Sequence, residues 1–299
     1  MKRARSVLAC ALTCAGITTA ALAGSPVQRE MTCAVGGEEF THTTTASYST
    51  WGARPDGKPY GSWTFPMPLP VCPGNGLVMY RAFTAEEVEA LQGYVAGEAY
   101  AGLRSETPYF RASRIEDHLG ADSGLTPIYL LMRAAWETDN DGERKARYQR
   151  EFAERVTALP AETSDRNWLF LMARAANARR ELGEFAQAAE VLESIGPVSA
   201  ESVAWDDNMA ERQRERWMRG WEDYTNGLAA LIAEGNSESE PLAMLPPRMA
   251  AWICIEKEEA GEALPAPCSS PDIVDELRTQ WEMRAIMEDA EASADTAAQ

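Results

Sequence analysis

Cysteine is the residue type whose chemistry this sequence singles out first. Four cysteines lie beyond the first 14 residues, and these are Cys33, Cys72, Cys254 and Cys268. Thiols form disulfides in oxidising compartments, and in reducing ones they more often bind zinc. The two histidines, His42 and His118, are far apart in sequence. A zinc site at Cys33 and Cys72 would therefore need two more ligands from residues that no motif identifies as metal ligands. We expect neither a metal nor a cofactor.

Other reactive residue types form no specific arrangement. Within residues 137–142, every second side chain carries oxygen, as at the start of a calcium-binding loop. The twelfth residue of such a loop should be glutamate, but here it is Tyr148. An acidic turn between helices is therefore predicted. The chain has no GxSxG elbow, and serines near His42 are as well explained by a polar hairpin. The 46 acidic residues can always bring two carboxylates together. No catalytic residue is predicted.

Aromatic residues are concentrated around one turn signal near the N-terminus. They are Tyr48, Trp51, Tyr60, Trp63 and Phe65. Rings beside polar groups can stack on sugars or hold a peptide, because they combine apolar area with few rotamers. The simpler interpretation, which we favour, is that these rings cover a helical domain, since a small hairpin has no core of its own. By the same reasoning Trp217 and Trp221 are predicted to be helix-core residues.

The first residues have the features of a secretory signal. Three basic residues within the first five precede an uncharged run over residues 6–23, and Ala21 and Ala23 form an AxA cleavage site. Cleavage between Ala23 and Gly24 would release a periplasmic or secreted protein with no stable membrane insertion. An uncleaved anchor helix and a lipoprotein are the less favoured alternatives.

Removal of this signal leaves an even number of cysteines in an oxidising compartment, which favours two disulfides. Four cysteines allow three connectivities. Their grouping along the chain favours Cys33 with Cys72 and Cys254 with Cys268, although the sequence leaves the other pairings open.

Composition narrows the class of protein. The 299 residues are 45% hydrophobic and 25% charged, which is typical of a globular protein. Lys and Arg total 28 against 46 Asp and Glu, so the net charge is -18. A field of this sign repels phosphate backbones, and nucleic acid is not expected as a partner.

The local patterns change near residue 83. Residues 24–83 hold a β-branched run at 41–45, the turn signal Arg-Pro-Asp-Gly at 54–57 and a proline-rich extended stretch at 65–70, which together predict a small β-hairpin module. Residues 84–287 show helical periodicity, beginning with a capping box at Thr84 and Glu87. Residues 288–299 are expected to form a disordered acidic tail.

Within the helical region, residues 167–195 resemble one tetratricopeptide hairpin, with Gly183 at the turn. No second copy is evident at the expected period. Loops between helical hairpins are predicted at 120–124, 160–164, 196–200 and 235–241 from their Gly, Pro and Ser content.

Two short segments carry a resemblance to a known family. Residues 32–40, Thr-Cys-Ala-Val-Gly-Gly-Glu-Glu-Phe, resemble the CPxCGxxF knuckle of a bacterial family of unknown function, and residues 71–76, Val-Cys-Pro-Gly-Asn-Gly, resemble its second CPxCG knuckle. In that family the paired knuckles precede tetratricopeptide-like helices. The resemblance implies architecture and no reaction.

This chain departs from the family pattern at two positions. Gly36 and Asn75 stand where each knuckle has its second cysteine, so a four-thiolate zinc site cannot be built. The resemblance implies instead that the surviving Cys33 and Cys72 lie close enough to form a disulfide. The expected fold is mainly α, with a disulfide-closed, degenerate zinc-knuckle-like β-hairpin module packed on tetratricopeptide-like hairpins.

The predicted function is that of an exported, non-enzymatic interaction or structural protein of the bacterial cell envelope. Its partner would be an envelope protein or a peptide. The alternative is an envelope hydrolase, or a glycan- or peptide-binding module, that uses the aromatic N-terminal hairpin. The sequence carries no signal for the oligomeric state.

Overall fold

The computed structural model describes residues 24–120 and 124–297. Strand β1 (Gly24–Thr32) pairs antiparallel with β2 (Glu39–Tyr48), and β3 (Thr50–Ala53) pairs antiparallel with β4 (Pro59–Gly61). The predicted turn at residues 54–57 joins β3 to β4, and the Gly57 amide donates to the Arg54 carbonyl at 2.9 Å. Gly57 has a φ of 90°, which only glycine adopts without strain. The predicted turn is therefore confirmed.

Ten helices follow within the described residues, so the mainly α fold is confirmed. They are α1 (Ala85–Ala96), α2 (Glu98–Ala101), α3 (Pro108–Leu119), α4 (Thr126–Glu137), α5 (Gly142–Thr157), α6 (Arg166–Glu181), α7 (Phe185–Ser194), α8 (Glu211–Ala233), α9 (Pro247–Glu259) and α10 (Pro271–Ala297). From α3 to α8, each helix packs against the next one along the chain, as in stacked helical hairpins.

Local capping explains where several of these helices begin and end. The Thr84 hydroxyl accepts from the Glu87 amide and the Glu87 carboxylate accepts from the Thr84 amide, which is the predicted capping box of α1. Asp141 and Asp165 cap the N-termini of α5 and α6. Gly183, with a φ of 75°, ends α6 and allows the short turn into α7.

The hairpin module shares its core with the helices. One cluster of buried side chains extends from Cys33, Cys72 and Leu77 to residues of α1 and of α3–α8. A second cluster comprises the C-terminal residues Leu245, Ala250, Ala251, Cys254, Cys268 and Ile273. The module is thus stabilised by burial against the helical body, as expected for a hairpin too small to have its own core.

Both expected disulfides are present, Cys33–Cys72 and Cys254–Cys268. The first joins two turns with the same hydrogen-bond pattern. The Cys33 amide donates to Glu38 and its carbonyl accepts from Gly37, whereas the Cys72 amide donates to Leu77 and its carbonyl accepts from Gly76. The turns also contact each other, because the Asn75 side-chain amide donates to the Val35 carbonyl at 2.7 Å.

The structure differs from expectation in two places. The connection between α7 and α8 covers residues 195–210, longer than the predicted loop, and it packs Trp205 edge-to-face on Trp217 of α8. Helix α10 extends to Ala297, so the backbone is helical where a disordered tail is predicted. The signal segment and its cleavage residue Ala23 lie outside the described residues, and Gly24 is the first residue of β1.

Joint replacement of Cys33 and Cys72 by serine is expected to lower the free energy of unfolding by about 2–4 kcal/mol, because the bond closes a long loop in the unfolded chain. Both sulfurs lie in the shared core, so the loss should extend to the helices. Urea denaturation followed by helical circular dichroism measures it. The matched control replaces Cys254 and Cys268, which lie in the separate C-terminal cluster. A Cys33/Cys72 variant with an unchanged helical transition would contradict this prediction.

Candidate functional site

A groove of about 720 Å³ opens between the hairpin module and helices α3 and α4. Six aromatic side chains line it, and these are Tyr48, Phe65, Tyr80, Tyr109, Tyr129 and Trp136. Its volume falls within the usual range for ligand sites. Three of the rings come from the module and its connection to α1, and three come from α3 and α4. The groove therefore exists only when the module is packed on the helices.

The module side of the groove is held in place by specific contacts. Tyr48, the last residue of β2, packs edge-to-face on Phe65 with ring centroids 5.4 Å apart. The Phe65–Pro66 peptide bond is cis. On the helical side, the Tyr109 hydroxyl of α3 donates to the Met67 carbonyl at 2.8 Å. This hydrogen bond fixes the proline-rich segment along α3.

Helix α4 supplies the opposite wall. Tyr129, Arg133 and Trp136 are spaced four and three residues apart, which places them on one face of the helix. The Tyr129 hydroxyl donates to the Asn167 side-chain oxygen of α6 at 3.2 Å, and this orients the ring. Trp136 is buried, whereas Arg133 is exposed.

The two arginines of the groove have different electrostatic surroundings. Arg81 donates through Nε to Glu116 at 2.7 Å and through Nη1 and Nη2 to Glu87. The Arg81 hydrogen bonds are the main cause that lowers the pKa of Glu87 to about 2. Among the described residues, no carboxylate lies within ion-pair distance of Arg133. The charge of Arg81 is thus compensated, and that of Arg133 is not.

The tyrosine hydroxyls behind the groove stay protonated at neutral pH. Burial raises the pKa of Tyr109 to about 12, with Arg133 opposing the rise and Glu137 adding to it. Burial also raises the pKa of Tyr80, whose hydroxyl donates to Glu116 at 2.5 Å and so raises it further. Both hydroxyls therefore act as structural donors within the protein.

The five aromatic residues singled out from the sequence do not form one surface. Tyr48 and Phe65 line the groove. Trp51 lies instead beside Arg248 of α9, whose guanidinium carbon is 5.4 Å from the ring centroid. Tyr60 packs on the C-terminal cluster, and Trp63 contacts the start of β1 near Gly24. The covering role favoured from sequence therefore fits Tyr60, whereas Trp63 contacts a strand of the module itself and Tyr48 and Phe65 line the groove.

The sequence reasoning missed the helical half of the groove. Tyr80, Tyr109, Tyr129 and Trp136 were not among the candidate residues, and neither was Arg133. The signal that could have found the α4 wall is the four-and-three spacing of Tyr129, Arg133 and Trp136, which puts two rings and a cation on one face.

A smaller pocket of about 280 Å³ lies between α6 and α8. Trp217 and Trp221 stack with ring centroids 5.6 Å apart. Both line this pocket and are partly buried against the main core, so they are not the fully buried core residues that the sequence predicts. The Arg174 guanidinium lies between the rings of Phe170 and Tyr224 and donates to the Pro55 carbonyl. This pocket therefore adjoins the contact that holds the 54–57 turn.

The remaining reactive residues lie in separate parts of the structure. His42 lies on β2. His118 of α3 stacks on Tyr94 of α1, and their ring centroids are 3.9 Å apart. The acidic segment 137–142 spans the turn between α4 and α5, as predicted, with Glu137 ending α4 and Gly142 beginning α5. Its Asp139 binds Arg54, Lys58 and Lys145. No cluster of three or more His, Cys, Asp or Glu side chains in the described part of the chain could hold a metal ion.

No protein-family model, curated protein or solved structure matches this chain. The resemblance to the paired-knuckle family thus stays a prediction. Across the described ranges 24–120 and 124–297, no helix is both long enough and apolar enough to cross a membrane.

Proposed function

We propose that the protein is an exported, non-enzymatic binding protein of the bacterial cell envelope that holds its ligand in the aromatic groove. The observation that carries this proposal is the groove itself, where six rings from separate parts of the chain meet around a volume of about 720 Å³. Aromatic rings provide large contact areas with few rotamers to freeze, which suits binding. The signal-like N-terminus and the two disulfides support export.

Binding is favoured over hydrolysis by the chemistry of the groove lining. Two arginines and no Asp or Glu are among the described residues that line it. Hydrolysis by a carboxylate pair requires acidic groups facing the substrate. Glu116, which lies behind the groove, has only 3% of its side chain exposed and already accepts from Tyr80 and Arg81. The hydrolase alternative has no comparable support.

The binding proposal is tested by a photoreactive amino acid placed at Tyr129 of the full chain and irradiated in intact cells. The control position is Glu154, an exposed residue of α5, a helix that contributes nothing to the groove lining. We expect a discrete adduct from position 129 and not from position 154. The same adducts at both positions, or no adduct at 129, would contradict a ligand in the groove. Cell fractionation and N-terminal sequencing of the same sample test export and cleavage after Ala23.

A further inference from the structure

We propose that the groove takes an extended peptide segment that carries an acidic side chain, with the carboxylate paired to Arg133 and apolar side chains against the rings of Tyr129 and Phe65. This inference rests on the proposed binding function and adds the chemical class of the ligand. It is carried by the charge and the polar groups of the groove lining.

Charge complementarity is the first argument. The chain has a net charge of -18, yet its aromatic groove is lined by two arginines and by no described carboxylate. Arg81 is neutralised by Glu87 and Glu116, and Arg133 has no ion-pair partner among the residues described. The planar fork of a guanidinium favours two parallel hydrogen bonds to a carboxylate. The groove is thus a local cationic site on an acidic protein.

The position of Arg133 is the second argument. It lies one helical turn from Tyr129 and three residues from Trp136 on the same face of α4. A carboxylate bound there would have an aromatic ring on either side along the helix. Apolar groups of the same ligand would then lie against these rings. A ligand with a carboxylate between apolar groups would therefore fit the sequence of ring, cation and ring along α4.

The polar groups of the lining favour a peptide over a glycan. Sugar hydroxyls need several planar acceptors and donors, such as Asn, Gln, Asp and Glu, and the described lining residues include none of these. The hydroxyls of Tyr80 and Tyr109 already donate to Glu116 and to Met67. Grooves lined by aromatic residues are a recurring way of binding extended, proline-containing peptides.

The test uses the full chain and an array of immobilised short peptides rich in Pro, Leu and Phe, each made in a Glu and a Gln version. We expect the wild-type protein to bind the Glu versions up to about fivefold more tightly, as an exposed ion pair allows. Arg133→Ala should abolish this preference and Arg133→Glu should reverse it. Arg216→Ala, which removes an exposed arginine of α8 far from the groove lining in sequence, should leave the preference unchanged. Circular dichroism checks that each variant is folded.

The outcomes separate this inference from the proposed function. Equal binding of Glu and Gln peptides that is lost in Tyr129→Ala would overturn the acidic preference and leave binding in the groove standing. A glycan or lipid adduct at position 129, with no peptide bound on the array, would overturn the peptide class alone. No array binding together with no adduct at position 129 would overturn both. An Arg133→Ala variant that keeps the Glu preference would show that Arg133 does not bind the carboxylate.

Discussion

Replacement of Arg54 by alanine is expected to lower the free energy of unfolding by about 3–5 kcal/mol, because it leaves the buried carboxylate of Asp56 without its partner and removes the contacts to the more exposed Asp139 and Glu240. Only 6% of the Arg54 side chain is exposed. Its guanidinium binds Asp56 at 2.5 Å, Asp139 at 2.9 Å and Glu240 at 3.3 Å. These partners lie in the module, in the α4–α5 turn and in the α8–α9 connection. One side chain therefore ties three parts of the chain together.

Urea denaturation of the wild type and the variant measures this loss. The matched control is Arg278→Ala, which removes an arginine paired with Asp275 on α10, where the two side chains are 65% and 70% exposed. Exposed pairs contribute about 1 kcal/mol or less, so the control should unfold almost as the wild type does. Equal losses in the two variants would show that the Arg54 network does not stabilise the fold.

The same network makes a prediction about acid. Burial alone would raise the pKa of Asp139, but hydrogen bonds from Arg54 and Lys58 outweigh it and hold that pKa well below its ordinary value of 3.8. A carboxylate with a lowered pKa in the folded state contributes stability above the ordinary value, and this contribution is lost as the pH falls through the lowered pKa. The difference in stability between wild type and Arg54→Ala should therefore shrink below a pH of about 3.8. A difference that grows on acidification would contradict this assignment.

The Arg54 network also shows how far local sequence determines the structure. The Arg-Pro-Asp-Gly signal predicts the turn at 54–57 because turn conformation depends on neighbouring residues and on Gly57. It does not predict that Arg54 binds Asp139, 85 residues away, or Glu240, 186 residues away. Those pairs arise from the stacking order of the helices, and no local pattern records that order.

The groove residues likewise differ in whether local sequence identifies them. Tyr48 and Phe65 were found as candidates because five rings cluster within 18 residues around a turn. Tyr129 and Trp136 belong to a helix whose apolar face also builds the core, with Leu131 and Ala134 fully buried. Periodicity identifies that helix, and Arg133 marks one of its faces, but periodicity does not separate rings of the groove from core residues, since both are apolar. Only the packing of the module on α4 makes the distinction.

The cysteine pairs were predicted correctly, partly from grouping along the chain and partly from the knuckle resemblance. Gly36, Gly37 and Gly76 adopt positive φ values, and these tight turns bring Cys33 and Cys72 together. Turn residues of this kind are visible in sequence. The sequence does not show that the two turns and the helices share one core, because this depends on contacts between distant segments.

Replacement of Arg180 by alanine is the second substitution with a large expected effect, again about 3–5 kcal/mol. Its side chain is fully buried on α6, and burial is the main cause that lowers its pKa. Nη1 donates to the carbonyls of Asn236 and Glu238 at 2.8 Å each, and Nε and Nη2 donate to the Asn177 side chain. Alanine would leave the buried Asn177 side-chain oxygen without this donor and would release the two backbone carbonyls.

The segment that Arg180 holds also carries Glu240 to Arg54, so the two arginines should be coupled. Once Arg180→Ala has released residues 236–238, Glu240 is no longer positioned, and Arg54→Ala has less left to remove. We therefore expect the double variant to lose less stability than the two single variants combined, by about 0.5–3 kcal/mol. A double-mutant cycle in urea measures this difference, with Arg278→Ala in place of Arg54→Ala as the uncoupled control. Additive losses in the Arg54 cycle would mean that the α8–α9 connection stays in place without Arg180.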